Sequence, residues 1–153
     1  MSKREPSAVQ RLVEEWELAG GSWPVDPAEF GEWAVRTRRW EPTYEASVRL
    51  CAEMFSRTMR EEYTTDSKGR RIRTKHAVRE KRGTGQFVLW YDLATAPRDK
   101  MVRAFQQRRD QIVGDCRQLK NDVDSYNEGH PTAAPIQLVL DFTLDMEELE
   151  LAA

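Results

Sequence analysis

Most of the chemistry this sequence offers lies within 13 positions, which hold Arg70, Arg71, Arg73, Lys75, His76, Arg79, Lys81 and Arg82. Lysine and arginine at this density displace counterions from a phosphate backbone. The flat guanidinium adds a fork that fits a phosphate or a guanine edge. His76 is expected at the surface, where a partly neutral imidazole would add a directional donor. Asp66-Ser67-Lys68-Gly69 and Arg82-Gly83-Thr84-Gly85 punctuate the run as turns, so these side chains are expected on a hairpin or small antiparallel sheet. A two-stranded ribbon of this kind can enter a major groove, and Trp90 or Tyr91 beside it could stack on an unpaired base.

The charge distribution sharpens this reading. The chain has 153 residues and a net charge of -2, but that total conceals three blocks. Residues 1–67 carry 9 Lys or Arg against 13 Asp or Glu, residues 68–120 carry 15 against 5, and residues 121–153 carry none against 8. A basic centre of +10 between acidic arms of -4 and -8 can meet phosphate, or be met by the arms themselves.

Catalysis finds little support. His76 and His130 are the two histidines, and neither sits in a zinc-ligand array or beside a recognisable nucleophile. Asp110 with Asp115, and Asp122 with Asp124 and Glu128, lack the further ligands that would fix a metal or an attacking water. Gly83-Thr84-Gly85 is too short for a phosphate-cradling loop motif. No cofactor, metal site or catalytic residue is expected. Cys51 and Cys116 lie 65 positions apart without a CxxC spacing, so reduced thiols and a cytoplasmic setting are expected. No apolar window approaches the roughly 18 residues that a membrane span needs, and the charged N-terminus is unlike a signal peptide.

The elements that must position the basic run follow from periodicity. Val9, Leu12, Val13 and Trp16 form a helical stripe over 6–19, with Ser7 as a possible cap and Gly20-Gly21 as the stop. Asp26-Pro27-Ala28-Glu29 has the capping-box pattern with proline at the first helical position. It opens a second helix to about Arg39, in which Gly31 would admit a close neighbour. Tyr44, Val48, Cys51, Phe55 and Met59 predict a third helix from 43 to about 63. These three are expected to form a small bundle. Gln86–Leu93 is the clearest strand, with Phe87, Leu89, Tyr91 and Leu93 on one side and Val88, Trp90 and Asp92 on the other.

After Pro97 the longest helix is expected from Arg98 to Asn127. Met101, Phe105, Ile112, Cys116, Leu119, Val123 and Tyr126 recur at steps of 4, 7, 4, 3, 4 and 3. Arg108 falls at the missing position of this stripe and is expected to be buried or to face a partner. Such a helix is too long for a core of this size to cover, so residues 98–127 form a possible homodimer seam, which Gly114 and Arg108 weaken. Arg109 and Arg117 on another side extend the candidate phosphate track.

A linker at Thr132-Ala133-Ala134-Pro135 separates a single domain over 6–130 from the tail, 131–153. There Ile136-Gln137-Leu138-Val139-Leu140-Asp141-Phe142 reads as a short strand or a free peptide ahead of an acidic run. Residues 137–142 resemble the Gln-Leu-x-Leu-x-Leu/Phe peptide with which bacterial replication and repair proteins engage the DNA sliding clamp. That resemblance implies Gln137 as a polar anchor and Leu138, Leu140 and Phe142 as apolar anchors for a protein partner.

The sequence thus describes an α+β protein: an N-terminal three-helix bundle, a central basic hairpin or sheet, one long helix and a C-terminal strand or tail peptide. The expected role is a small bacterial, non-catalytic nucleic-acid-binding accessory protein, with DNA favoured over RNA. The alternative is an oligomeric or heteromeric adaptor built on the long helix, with no nucleic-acid role.

Overall fold

The computed structural model describes residues 8–153; the proposed cap at Ser7 lies outside them. The chain divides into two compact units, one up to Phe55 and the other from Ser56 onward.

The first unit contains α1 (Ala8–Leu18), α2 (Pro27–Arg36) and the start of α3 (Tyr44–Glu61). Leu12 and Trp16 of α1 and Ala34 of α2 are buried. The Trp16 ring meets Trp23 and Phe30 edge-on, at centroid distances of 5.5 and 5.9 Å, and Phe30 lies 5.9 Å from Trp33. These offset aromatic contacts are the cement of a unit with few buried aliphatics. The start of α2 follows its sequence signal, since the Asp26 carboxylate accepts from the Ala28 N–H at 2.7 Å and Pro27 stands at the first turn. Gly20 ends α1 with φ +94°, a conformation that favours glycine. Gly21 is pressed so closely against the Trp16 ring that a Cβ would lie 2.2 Å from it. Gly31, by contrast, faces open space, so the expectation of a close neighbour there is corrected. The three N-terminal helices are present, but the buried contacts belong to α1 and α2. The apolar stripe of α3 stays exposed at Tyr44, Val48 and Phe55.

The second unit holds two antiparallel hairpins and the long helix α4 (Arg98–Gly129). Strands β1 (Tyr63–Thr65) and β2 (Arg71–Arg73) pair around a turn that Asp66 organises. One Asp66 oxygen accepts from the N–H groups of Lys68 and Arg70, both at 2.9 Å, and Gly69 supplies φ +79°. Strands β3 (Lys75–Arg82) and β4 (Gly85–Asp92) are joined by the two-residue loop Gly83-Thr84, with Gly83 at φ +59°. Positive φ in that loop matches the twist of the strands it joins.

Alternation divides the second hairpin into two faces. His76, Val78 and Glu80 stand opposite Tyr91, Leu89 and Phe87. This face meets α4, where Val78, Met101 and Ala104 form a buried cluster against Tyr91, Leu93 and Ala96. Glu80 closes its margin with an ion pair to Lys100, and Tyr91 donates to the same carboxylate at 3.2 Å.

Helix α4 has 32 residues, a length of about 48 Å at 1.5 Å per residue. Its only buried side chains, Met101 and Ala104, lie near its start.

Of the strand and the free peptide expected as alternatives at 136–142, the strand is absent. Asn127 holds the backbone of Ile136 in both directions, at 2.9 Å each. A strand needs an edge to join, and this segment is held beside α4 by a side-chain amide. The acidic run beyond it is helix α5 (Thr143–Ala152), at whose start Asp141 accepts from the Thr143 hydroxyl at 2.7 Å. Among the described residues no helix is long and apolar enough to cross a membrane.

Candidate nucleic-acid interface

The second face of the β3–β4 hairpin presents Lys75, Ala77 and Arg79 beside Val88 and Trp90. The end of α3, strand β2 and the middle of α4 bring further arginines to it. A cavity of about 230 Å³ is lined by Arg60, Arg73, Arg79, Arg108 and Trp90, with Gln107 and Gln111 at its α4 side. A second of about 340 Å³ is lined by Tyr63, Arg71, Arg73 and Arg108. Arg73, His76 and Arg108 belong to both, so the two form one continuous basic surface.

Five arginines converge there: Arg60, Arg71, Arg73, Arg79 and Arg108. No carboxylate lines either cavity, and among the described residues none of the five makes an ion pair. Aromatic rings are interleaved with them. The Arg60 guanidinium lies 5.8 Å over Trp90, and those of Arg71 and Arg73 lie 3.8 and 5.7 Å over Tyr63. Arg73 Nε also donates to the Tyr63 hydroxyl at 3.3 Å. That hydrogen bond, reinforced by the charges of Arg73, Arg71 and Arg108, outweighs desolvation and holds the phenol below its usual range.

Electrostatics across this surface favour an anion. Partial burial, with the like charge of Arg73 beside it, holds Arg108 below the usual guanidinium value. It stays protonated, as arginine does in proteins. Like charges held together without a counterion repel, and a phosphate seated among them would relieve that repulsion while accepting forked hydrogen bonds.

Gln107 fixes the α4 side of the surface. Its amide accepts from the Arg79 N–H at 2.9 Å and donates to the Arg79 carbonyl at 3.2 Å. It thereby imitates a neighbouring strand at the outer edge of β3.

Lys75 also lines the first cavity, and the remaining expected site residues lie elsewhere. Lys75 is neutralised by ion pairs to Asp92, directly opposite on β4, and to Glu62 at 3.7 Å. Arg70 is bound to Asp66 at 2.7 Å in the first turn. Lys81 lines an adjoining cavity that shares Arg79, Gln107 and Gln111 with the first and also holds Glu80 and Asp110, and Arg82 lies at the hairpin tip, 6.0 Å over Phe87. Arg109 and Arg117 line neither basic cavity. At 100° per residue, Arg117 falls about 180° around α4 from Arg108.

His76 requires a correction. The expected surface donor is buried. Its ring packs edge-on to Phe105 at 5.0 Å, and Nε2 lies 3.1 Å from the Arg73 carbonyl. Burial, with the charges of Arg108 and Arg73, lowers its pKa against the opposing effect of that hydrogen bond. The imidazole supports the site from beneath as a packing group. Arg108, expected to be buried or to face a partner, is solvent-exposed with a partly desolvated guanidinium and lines both basic cavities. Arg60 lies outside the basic run that the sequence singles out; its one signal is its place three residues before β1.

Among the described residues no three His, Cys, Asp or Glu side chains gather in a way that could hold a metal. Gln137 and Val139 of the tail point to solvent, Leu138 and Phe142 are partly covered, and Leu140 is half-buried. The sequence matches no family model, and neither curated proteins nor solved structures offer a significant match.

Proposed function

We propose that this protein is a non-catalytic nucleic-acid-binding accessory protein that grips backbone phosphate on the surface formed by Arg60, Arg71, Arg73, Arg79 and Arg108. The observation that carries this reading is the convergence of five arginines with no carboxylate partner among the described residues, interleaved with Trp90 and Tyr63. Arginine supplies phosphate contacts, and the rings of Tyr63 and half-buried Trp90 hold the guanidinia of Arg71, Arg73 and Arg60 over them. The hairpin tip, with Lys81 and Arg82, extends the contact into a groove. A two-stranded ribbon suits the open major groove of DNA better than the deep, narrow one of duplex RNA, which supports DNA over RNA in this reading.

Binding is expected in the cytoplasm, where Cys51 and Cys116, both unpaired, stay reduced. The tail segment 136–142, outside any sheet, remains the candidate contact for a protein partner. Titration of labelled single-stranded and duplex DNA at several salt concentrations tests the proposal. It expects affinity that falls steeply with salt; a folded sample that binds neither at low salt would refute it.

A further inference from the structure

Beyond Gln111, α4 runs for 18 more residues without a buried side chain. Along this part Ile112, Cys116, Leu119, Val123 and Tyr126 repeat at steps of 4, 3, 4 and 3. Ile112, Leu119 and Tyr126 are 51%, 46% and 50% exposed. Spacing of this kind is the seam of a two-stranded coil, with Cys116 and Val123 at a positions and Ile112, Leu119 and Tyr126 at d positions. A β-branched residue at a and leucine at d favour two strands over three.

We infer that a second copy of this chain covers the stripe, with the two α4 helices parallel and in register. Charge complementarity selects this occupant and this direction. Asp115 and Asp122 fall at g positions and Lys120 at an e position. In a parallel pair each g residue faces the e residue five positions later on the partner helix. Asp115 therefore meets the other copy's Lys120 twice across the symmetry axis, and Asp122 meets the other copy's Asn127, an amide able to donate. An antiparallel pair centred on Leu119 would instead set Asp115 against Asp122, like charge against like. The Lys120–Asp124 ion pair within one helix is exposed and easily exchanged. The seam covers about two heptads, so the dimer forms in a concentration-dependent way. Because β3 packs on the N-terminal half of α4, the parallel arrangement places both basic surfaces toward the same end of the paired helices.

The competing occupant is the protein's own tail, which Asn127 tethers at one end of the stripe. Parallel, in-register pairing brings the two Cys116 thiols to one layer, and this gives the test. Full-length protein carrying Cys51→Ser is oxidised with copper-phenanthroline at increasing concentration and resolved without reductant, alongside light scattering. A disulfide-linked dimer is expected, abolished by Leu119→Asp. Lys120→Glu is expected to weaken association by about three- to tenfold, and Asp115→Lys added to it to restore association. A protein that stays monomeric and uncrosslinked, or a charge swap that fails to rescue, would overturn the inference. So would crosslinking seen only when Leu138→Asp and Leu140→Asp loosen the tail, which would assign the stripe to the tail.

Discussion

The side-chain amide of Gln107 closes on the backbone of Arg79, accepting its N–H at 2.9 Å and donating to its carbonyl at 3.2 Å. One residue of α4 thus satisfies two backbone groups at the edge of β3 and sets Arg79 at the margin of the basic surface. Replacing Gln107 with Leu removes both hydrogen bonds and covers the edge with an apolar chain. A loss of about 1–3 kcal/mol is expected in urea unfolding, with weaker DNA binding. Unchanged stability would show that water replaces the amide without cost.

The arginines separate into those that should matter for phosphate and those that should not. Arg73→Ala and Arg108→Ala are each expected to lower DNA affinity and reduce the salt slope by about one. Arg109→Ala and Arg117→Ala, outside the basic cavities, are expected to leave both nearly unchanged. Equal losses at all four positions, measured by fluorescence anisotropy, would show that net charge alone drives binding.

His76 makes stability depend on pH in a defined direction. Its pKa in the folded state is lowered from 6.5 by burial first, so between the two values the unfolded chain binds more protons than the native one. Stability is therefore full above about pH 6.5 and falls as pH drops toward the folded value. Asp66, Glu80 and Asp92 are also lowered, chiefly through hydrogen bonds from Arg70, Lys100 and Lys75. Their contribution is present above the ordinary carboxylate range and is lost only below it. Urea midpoints from pH 8 to 5 should fall with acid in the native protein and stay flatter over that range in His76→Phe. Identical profiles would contradict the assignment.

Two glycines give opposite expectations. Gly21→Ala would drive a methyl into the Trp16 ring and should destabilise the first unit by about 1–3 kcal/mol. Gly31→Ala, inside α2 with open space around it, should stabilise by up to about 1 kcal/mol. Thermal unfolding followed by tryptophan fluorescence distinguishes them, and a shift of the same sign for both would contradict the packing described here.

Local signals made much of the fold legible. Asp26 and Pro27 opened α2, Asp66 and Gly69 shaped one turn, Gly83 shaped the other, and the apolar spacing traced α4 to within two residues of its end. What depended on register or on tertiary neighbours was hidden. Lys75 looked like a free cation because Asp92, its cross-strand partner, lies 17 positions away. His76 looked exposed because alternation gives two faces and does not say which one α4 will cover. Arg60 joins the site only because α3 ends beside Trp90. The tail alternates like a strand, yet hydrogen bonding, not hydrophobic pattern, makes a strand, and the backbone of Ile136 is held by the Asn127 side chain of α4.

The central claim, phosphate binding by the converging arginines, is tested most directly by comparing DNA affinity of the native protein with that of Arg73→Ala/Arg108→Ala across a salt series. The expected result is salt-sensitive binding by the native protein, at least tenfold weaker in the double variant and with a slope reduced by about two. Native binding that is absent at low salt, or identical in the two proteins, would contradict it.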